Sequence, residues 1–99
     1  MSFVVDNMLT HMKLYIQRVE LAEESQKGLL HDPLDDDSKC GPLIDAANER
    51  ATREILRFRE QRMGDCHTIW NRAQVILLEE HGIIWFSPAE MNFGTTHFD

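Results

Sequence analysis

The residues able to do chemistry in this chain are carboxylates, arginines, histidines and two cysteines, and their spacing limits what each can do. Glu20, Glu23 and Glu24 cluster in one stretch, and Asp45 and Glu49 stand one helical turn apart in another. Carboxylates on facing helices can hold a divalent cation for hydrolysis. Asp35, Asp36 and Asp37 are consecutive, whereas a calcium loop alternates its ligands and ends in a glutamate. Their expected role is solvation and favourable charge ahead of the next helix. The histidines, His11, His31, His67, His81 and His97, have no short paired spacing. Cys66 and His67 are adjacent, so on a helix they point about 100° apart and chelate poorly. A structural zinc site would announce itself by a spacing such as C-x-x-C, which is absent.

All-α nucleotide pyrophosphohydrolases hold magnesium with the pattern E-E-x-x-E followed by E-x-x-D. Here the order is E-x-x-E-E at Glu20, Glu23 and Glu24, and Asp45 and Glu49 do not restore the spacing. No nucleophile elbow, phosphate-binding glycine loop or catalytic His–Cys pair is present in the sequence. The expectation is therefore a protein that is not an enzyme, with no cofactor, no metal site and no catalytic residue. A metal-dependent helical hydrolase is the weakest alternative.

Arginines form the sharpest charge feature. Arg50, Arg53, Arg57, Arg59 and Arg62 face only Glu54 and Glu60 between positions 50 and 62, in a chain of net charge −7. Arg50, Arg53 and Arg57 share a helical face, and such a stripe can grip phosphates or an acidic protein surface. The competing reading is a solvated face stitched by Glu49–Arg53 and Arg50–Glu54 pairs at i,i+4. No aromatic residue interleaves with the stripe to stack bases. Arg62 falls in phase with an apolar arc, where it must snorkel or meet a carboxylate.

The elements carrying these residues follow from apolar periodicity. From about 42 to 81, Ile44, Ala47, Ala51, Ile55, Phe58, Ile69, Ala73 and Ile76 fall in one arc at about 100° per residue. A second row, Leu56, Met63, Trp70 and Leu77, repeats every seven residues. The preserved phase predicts one long helix, capped by Gly41, opened by Pro42, stopped by Gly82, and tolerating Gly64 on its polar face; the alternative is two helices joined by a tight turn at Gly64, with Asp65 as a new N-cap. In the long-helix geometry Cys40 and Cys66 lie too far apart to bridge and stay free thiols.

A first helix from about 4 to 27, stopped at Gly28, is predicted to pack through Val5, Leu9, Met12, Ile16 and Val19. Leu14 and Leu21 then lie on its outer face as a contact surface for a second copy or a partner. A loop over 28–41 turns the chain, with Leu29, Leu30 and Leu34 tucked on the core. In the tail over 83–99, Trp85 and Phe86 cover the long helix, and Ser87-Pro88-Ala89-Glu90 reads as a capping box opening a short helix to about Phe93.

At 99 residues and 42% hydrophobic content the chain suits one domain with a modest core. Its acidity disfavours generic binding to nucleic acid or anionic membranes, no run reaches the ~20 apolar residues of a span, and the cysteine usage suits the cytoplasm. The expected fold is all-α: an antiparallel helical hairpin with one long central helix and a short C-terminal capping helix, completed as a bundle by dimerisation or a partner. The expected function is a small acidic protein-interaction module (adaptor, regulator or inhibitor) that binds through Leu14, Leu21, Arg50, Arg53, Arg57 and Arg62. The alternatives are a nucleic-acid or nucleotide binder through the Arg50, Arg53 and Arg57 stripe, or an acidic mimic of nucleic acid.

Overall fold

Gly64 has φ of 87°, in the left-handed region that glycine enters without the steric cost borne by other residues. That one residue overturns the expectation of a continuous helix over 42–81. The computed structural model describes residues 3–57 and 59–92, and side chains from residue 9 onward within them. Within those residues the chain is all-helical and has no strand. Helix α1 is Phe3–Ser25, α2 is Cys40–Ile55, α3 is Asp65–His81 and α4 is Pro88–Met91, with a 3-10 turn at Pro33–Asp36 between α1 and α2. The expectations that fall on Phe58, Phe93 and His97 lie outside the described residues.

Asp65 is what makes the break stable. As first residue of α3 it accepts two hydrogen bonds from the Arg59 guanidinium, at 2.6 and 2.8 Å, and one from the Arg62 backbone N–H at 2.6 Å. A bidentate arginine–carboxylate pair is among the stronger charge-assisted contacts, and here it closes the turn between α2 and α3. Arg59 and the Arg62 N–H together hold the Asp65 carboxyl down to about 2. Arg62 itself is exposed in this turn. The expectation that it lies in the apolar arc fails because the helix carrying that arc ends before it.

The arc residues nevertheless bury, on two helices instead of one. Ile44, Ala47, Ala51, Ile69, Ala73, Ile76 and Leu77 form a single core cluster, with Ile55, Leu56 and Trp70 packed on it. Met63, from the second row, is in the turn and exposed. Ion pairs join Arg50 to Glu80 and Glu54 to Arg72, so the two helices run antiparallel. Small alanines at the contact let the helices approach closely, and the isoleucines fill the flanking space.

Helix α2 starts earlier than the Gly41–Pro42 signal suggests. The Asp37 carboxylate accepts the N–H groups of Lys39 and Cys40 at 2.9 and 2.8 Å, satisfying donors that a helix start leaves open. Those N–H groups, Cys40 first, lower the Asp37 carboxyl from its ordinary range. Gly41 is buried inside the first turn of α2, where an added Cβ would lie 2.6 Å from the Asp35 carbonyl oxygen. The residue is glycine because the 3-10 turn passes against α2 at that point. Both cysteines are free, although the long-helix argument for it no longer applies. Burial, then the neighbouring Asp37, pushes the Cys40 thiol up, away from a reactive thiolate.

The C-terminal segment follows its local signals. The capping box forms, with Ser87 Oγ accepting from the Glu90 N–H at 3.3 Å and Glu90 Oε1 accepting from the Ser87 N–H at 2.9 Å. Trp85 joins the α2/α3 core. Phe86 enters a second core instead, with Ala22 and Met91, on which Leu14, Tyr15, Val19, Leu30 and Ile84 pack. Helix α1 thus lies against the 3-10 turn and the C-terminal segment and does not run closely along α2 or α3.

Candidate interaction surface

His11, Tyr15, Arg18 and Ala22 recur at four, three and four residues, one line along α1. This mostly polar line is the face that docks. Arg18 Nη1 donates to Asp32 Oδ2 at 2.8 Å and also to the Ile84 carbonyl. Asp32, fully buried, accepts from the Phe86 N–H at 2.9 Å on the same oxygen and from the Leu34 N–H at 2.9 Å on the other. One carboxylate therefore joins α1, the 3-10 turn and the C-terminal segment. A buried charge persists only when paired and hydrogen-bonded in this way. Phe86 completes the dock. The Arg18 guanidinium lies 5.4 Å from its ring centroid, and the His11 and Tyr15 rings meet it edge-on at 5.3 and 5.2 Å.

Amide side chains and a phenol fasten the rest. Asn92 pairs with Leu30 in both directions, its Oδ1 accepting at 2.8 Å and its Nδ2 donating at 2.7 Å. Gln26 does the same with the His31 backbone at 2.8 and 3.0 Å. Tyr15 donates to the Glu90 carbonyl, and burial, then the Glu90 charge, raises its phenol. Trp85 Nε1 donates to Asp35 at 2.8 Å. Burial pushes the Asp35 carboxyl up to about 6, although the Trp85 bond opposes the shift. Among the described residues no buried side-chain nitrogen or oxygen lacks a partner.

Docking on that polar line turns the predicted seam of α1 outward. Leu9, Met12 and Ile16 are 43%, 56% and 51% exposed, and the Val5 side chain lies outside the described residues. The expectation that this seam packs on the core is overturned for Leu9, Met12 and Ile16, because Phe86 and Asp32 select the neighbouring face, and holds for Val19, which packs on the second core. Leu14 moves the opposite way. It is half-buried against the second core, so only Leu21, 50% exposed, remains on the surface as expected. Met12, Ile16, Val19 and Glu23 follow at four, three and four residues, a ridge beside the docked face. Val19 and Glu23 line a cleft of about 520 Å³ that is also bounded by Tyr15, Leu30, Met91 and Asn92. A smaller cleft of about 200 Å³ lies between His11 of α1 and Gln74 and Leu78 of α3, above Ile84 and Phe86.

The arginines divide differently from the expected stripe. Arg50 pairs with Glu80 at 2.6 Å across the helix pair and with Glu54 at 3.5 Å along α2. Arg72 pairs with Glu54 at 2.8 Å, and that contact, with Arg50 behind it, holds the Glu54 carboxyl below its ordinary range. Arg53 lies 3.9 Å from Glu49. Arg57 is exposed just beyond α2. Among the described residues no three His, Cys, Asp or Glu side chains gather to hold a metal ion.

Arg18 and Asp32, the centre of the dock, are polar and so carry no signal in the apolar periodicity. Asp32 has one local sign, its place before Pro33, where it caps the 3-10 turn. Among the described residues no helix is long and apolar enough to cross a membrane. No protein-family model matches the chain, and no curated protein or solved structure matches it.

Proposed function

We propose that this chain is a small acidic protein-interaction module whose contact surface is the outer flank of α1. One observation carries the reading: Leu9, Met12 and Ile16 stand exposed in a row beside a cleft. An apolar ridge rimmed by polar groups is characteristic of a protein contact site. Covering that ridge with a second copy or another protein would complete a helical bundle. The original candidates divide accordingly. Leu21 stays exposed on the flank of α1 away from the ridge, Leu14 packs on the second core, and Arg50 and Arg53 are matched by carboxylates of their own helix pair. That matching leaves the stripe less charge with which to grip phosphates.

The test is a photo-crosslinking amino acid placed at position 16 or, as a control, at position 49, in cells producing the protein. Crosslinks to protein, its own second copy included, at position 16 and not at 49 support the reading. Equal yields at both positions, or none at 16, overturn it. Met12→Glu and Ile16→Glu should keep thermal stability within about 0.5 kcal/mol, as expected for exposed sites.

A further inference from the structure

We infer that the α1 ridge and its cleft take a basic amphipathic helix, an inference that rests on the interaction reading above. The ridge Met12–Ile16–Val19 runs without interruption into the cleft at Val19, where Leu30 and the buried Met91 supply an apolar floor. An incoming helix with apolar residues at i, i+3, i+4 and i+7 matches such a linear ridge and sinks one anchor into the cleft. The volume of the cleft, about 520 Å³, accommodates a Leu, Met or Phe side chain.

The rim selects the charge of that helix. Glu23 lines the cleft, and Glu20 and Glu24 stand on adjacent exposed positions of the same turn. Arg18, the cation nearest in sequence, is held inward by Asp32 and the Ile84 carbonyl. Lys27 is the one cation on the following turn. The C-terminal half of the α1 surface is thus apolar along the ridge and net negative beside it. Lysines or arginines flanking an apolar stripe would meet those carboxylates, which raises the association rate and discriminates against acidic partners. A second copy docking through its own α1 lacks that complementarity, because it would bring the same carboxylates to the contact.

The probe is a dansyl-labelled amphipathic helix of leucine and lysine, titrated with the full chain and compared with an analogue in which every lysine is glutamate. The leucine–lysine peptide is expected to bind at least tenfold more tightly than the leucine–glutamate analogue, with a salt-dependent Kd. Ile16→Glu and the pair Glu20→Gln/Glu23→Gln should each weaken binding about tenfold. Asp45→Asn/Glu49→Gln, an equal change of charge on α2, should leave it unchanged, which separates the site from general attraction to an acidic protein. Equal loss in both charge pairs, or binding indifferent to Ile16→Glu, overturns the inference. Light scattering on the same samples distinguishes the two levels. A wild-type dimer that Ile16→Glu makes monomeric, with no peptide binding, overturns the basic-helix occupant and retains the interaction surface. A monomer that neither binds peptide nor crosslinks through position 16 removes both.

Discussion

The α2/α3 pair and the dock of α1 on the C-terminal segment are two solutions to one problem, holding helices together in a small chain. The pair is dry and periodic, with Ile44, Ala47, Ala51, Ile69, Ala73, Ile76 and Leu77 meeting across the contact. The dock is polar and outside the apolar periodicity, joined by Arg18, Asp32, Tyr15 and Asn92 to backbone groups far away in the chain. Apolar contact is non-directional and tolerates small shifts, whereas a shared buried carboxylate demands all its partners at once. The second solution spends polar residues on docking and leaves the apolar flank of α1 outside, where a partner can use it.

Asp32→Ala should break this contrast most forcefully. It strands the Arg18 charge and removes the acceptor of the Phe86 and Leu34 N–H groups, a loss of about 3–5 kcal/mol by analogy with other broken buried pairs. For a domain whose total stability is on the order of 5–15 kcal/mol, α1 and the C-terminal segment should undock. Hydrogen exchange should show α1 amides losing protection while those of α2 and α3 keep most of theirs. Equal loss in all three helices would make the two regions one cooperative unit and erase the distinction.

Leu77→Ala attacks the other side. Leu77 is completely buried in the pair, and truncation there costs about 2–5 kcal/mol. Because Trp85 packs on the same cluster, the loss should reach the dock as well, lowering the urea midpoint read by tryptophan fluorescence and by helical circular dichroism together. The expected asymmetry is that damage to the pair spreads to the dock, and damage to the dock stays local.

Gly41→Ala tests the seam between the two regions. Alanine gains about 1 kcal/mol in helix propensity, but its Cβ would stand 2.6 Å from the Asp35 carbonyl oxygen, a backbone atom that cannot rotate away. A net loss of about 1–2 kcal/mol is expected from such overpacking, measured as a fall in Tm of several degrees. A variant as stable as wild type would mean that the 3-10 turn shifts freely against α2.

These regions also differ in how far the sequence discloses them. Periodicity identified nearly every residue of the pair's core, and the capping box at Ser87 and Glu90 was legible from local spacing. Periodicity misplaced the connection, because Ala51 and Ile69 keep helical phase across a turn that interrupts the helix. Two cues to that turn were available, Gly64 and the Asp65 that follows it, and both are local signals that phase outweighed. In α1 the same reasoning chose the apolar line Leu9–Met12–Ile16 as the buried face. The face that docks is set by Asp32 and Phe86, partners a periodicity argument does not see. The candidate surface was thus hidden by the rule that ordinarily finds a core.

The smallest expected effect is a pH profile to which the two regions contribute opposite slopes. Asp35, at the dock, has its folded carboxyl pushed up to about 6 by burial, above the unfolded value of about 4. The folded state therefore binds more protons between those values, and stability should rise as pH falls from about 7 toward 4. Asp65, in the turn of the pair, is held down to about 2, first by Arg59 and then by the Arg62 N–H. Its contribution is present above about 4 and is lost as pH falls toward 2. Urea midpoints measured from pH 3 to 8 should then pass through a maximum near pH 4 to 5. Asp35→Asn keeps an acceptor for Trp85 and removes the half-buried charge, so it should stabilise the protein at pH 7 by about 1 kcal/mol, allowing for the partial exposure of the site. The same variant should lose the rise between pH 7 and 5 and keep the acid fall, whereas Asp65→Asn should lose the acid fall and keep the rise. A wild-type midpoint that is flat between pH 7 and 5 would mean that water reaches Asp35, and that the dock is looser around Trp85 than around the fully buried Asp32.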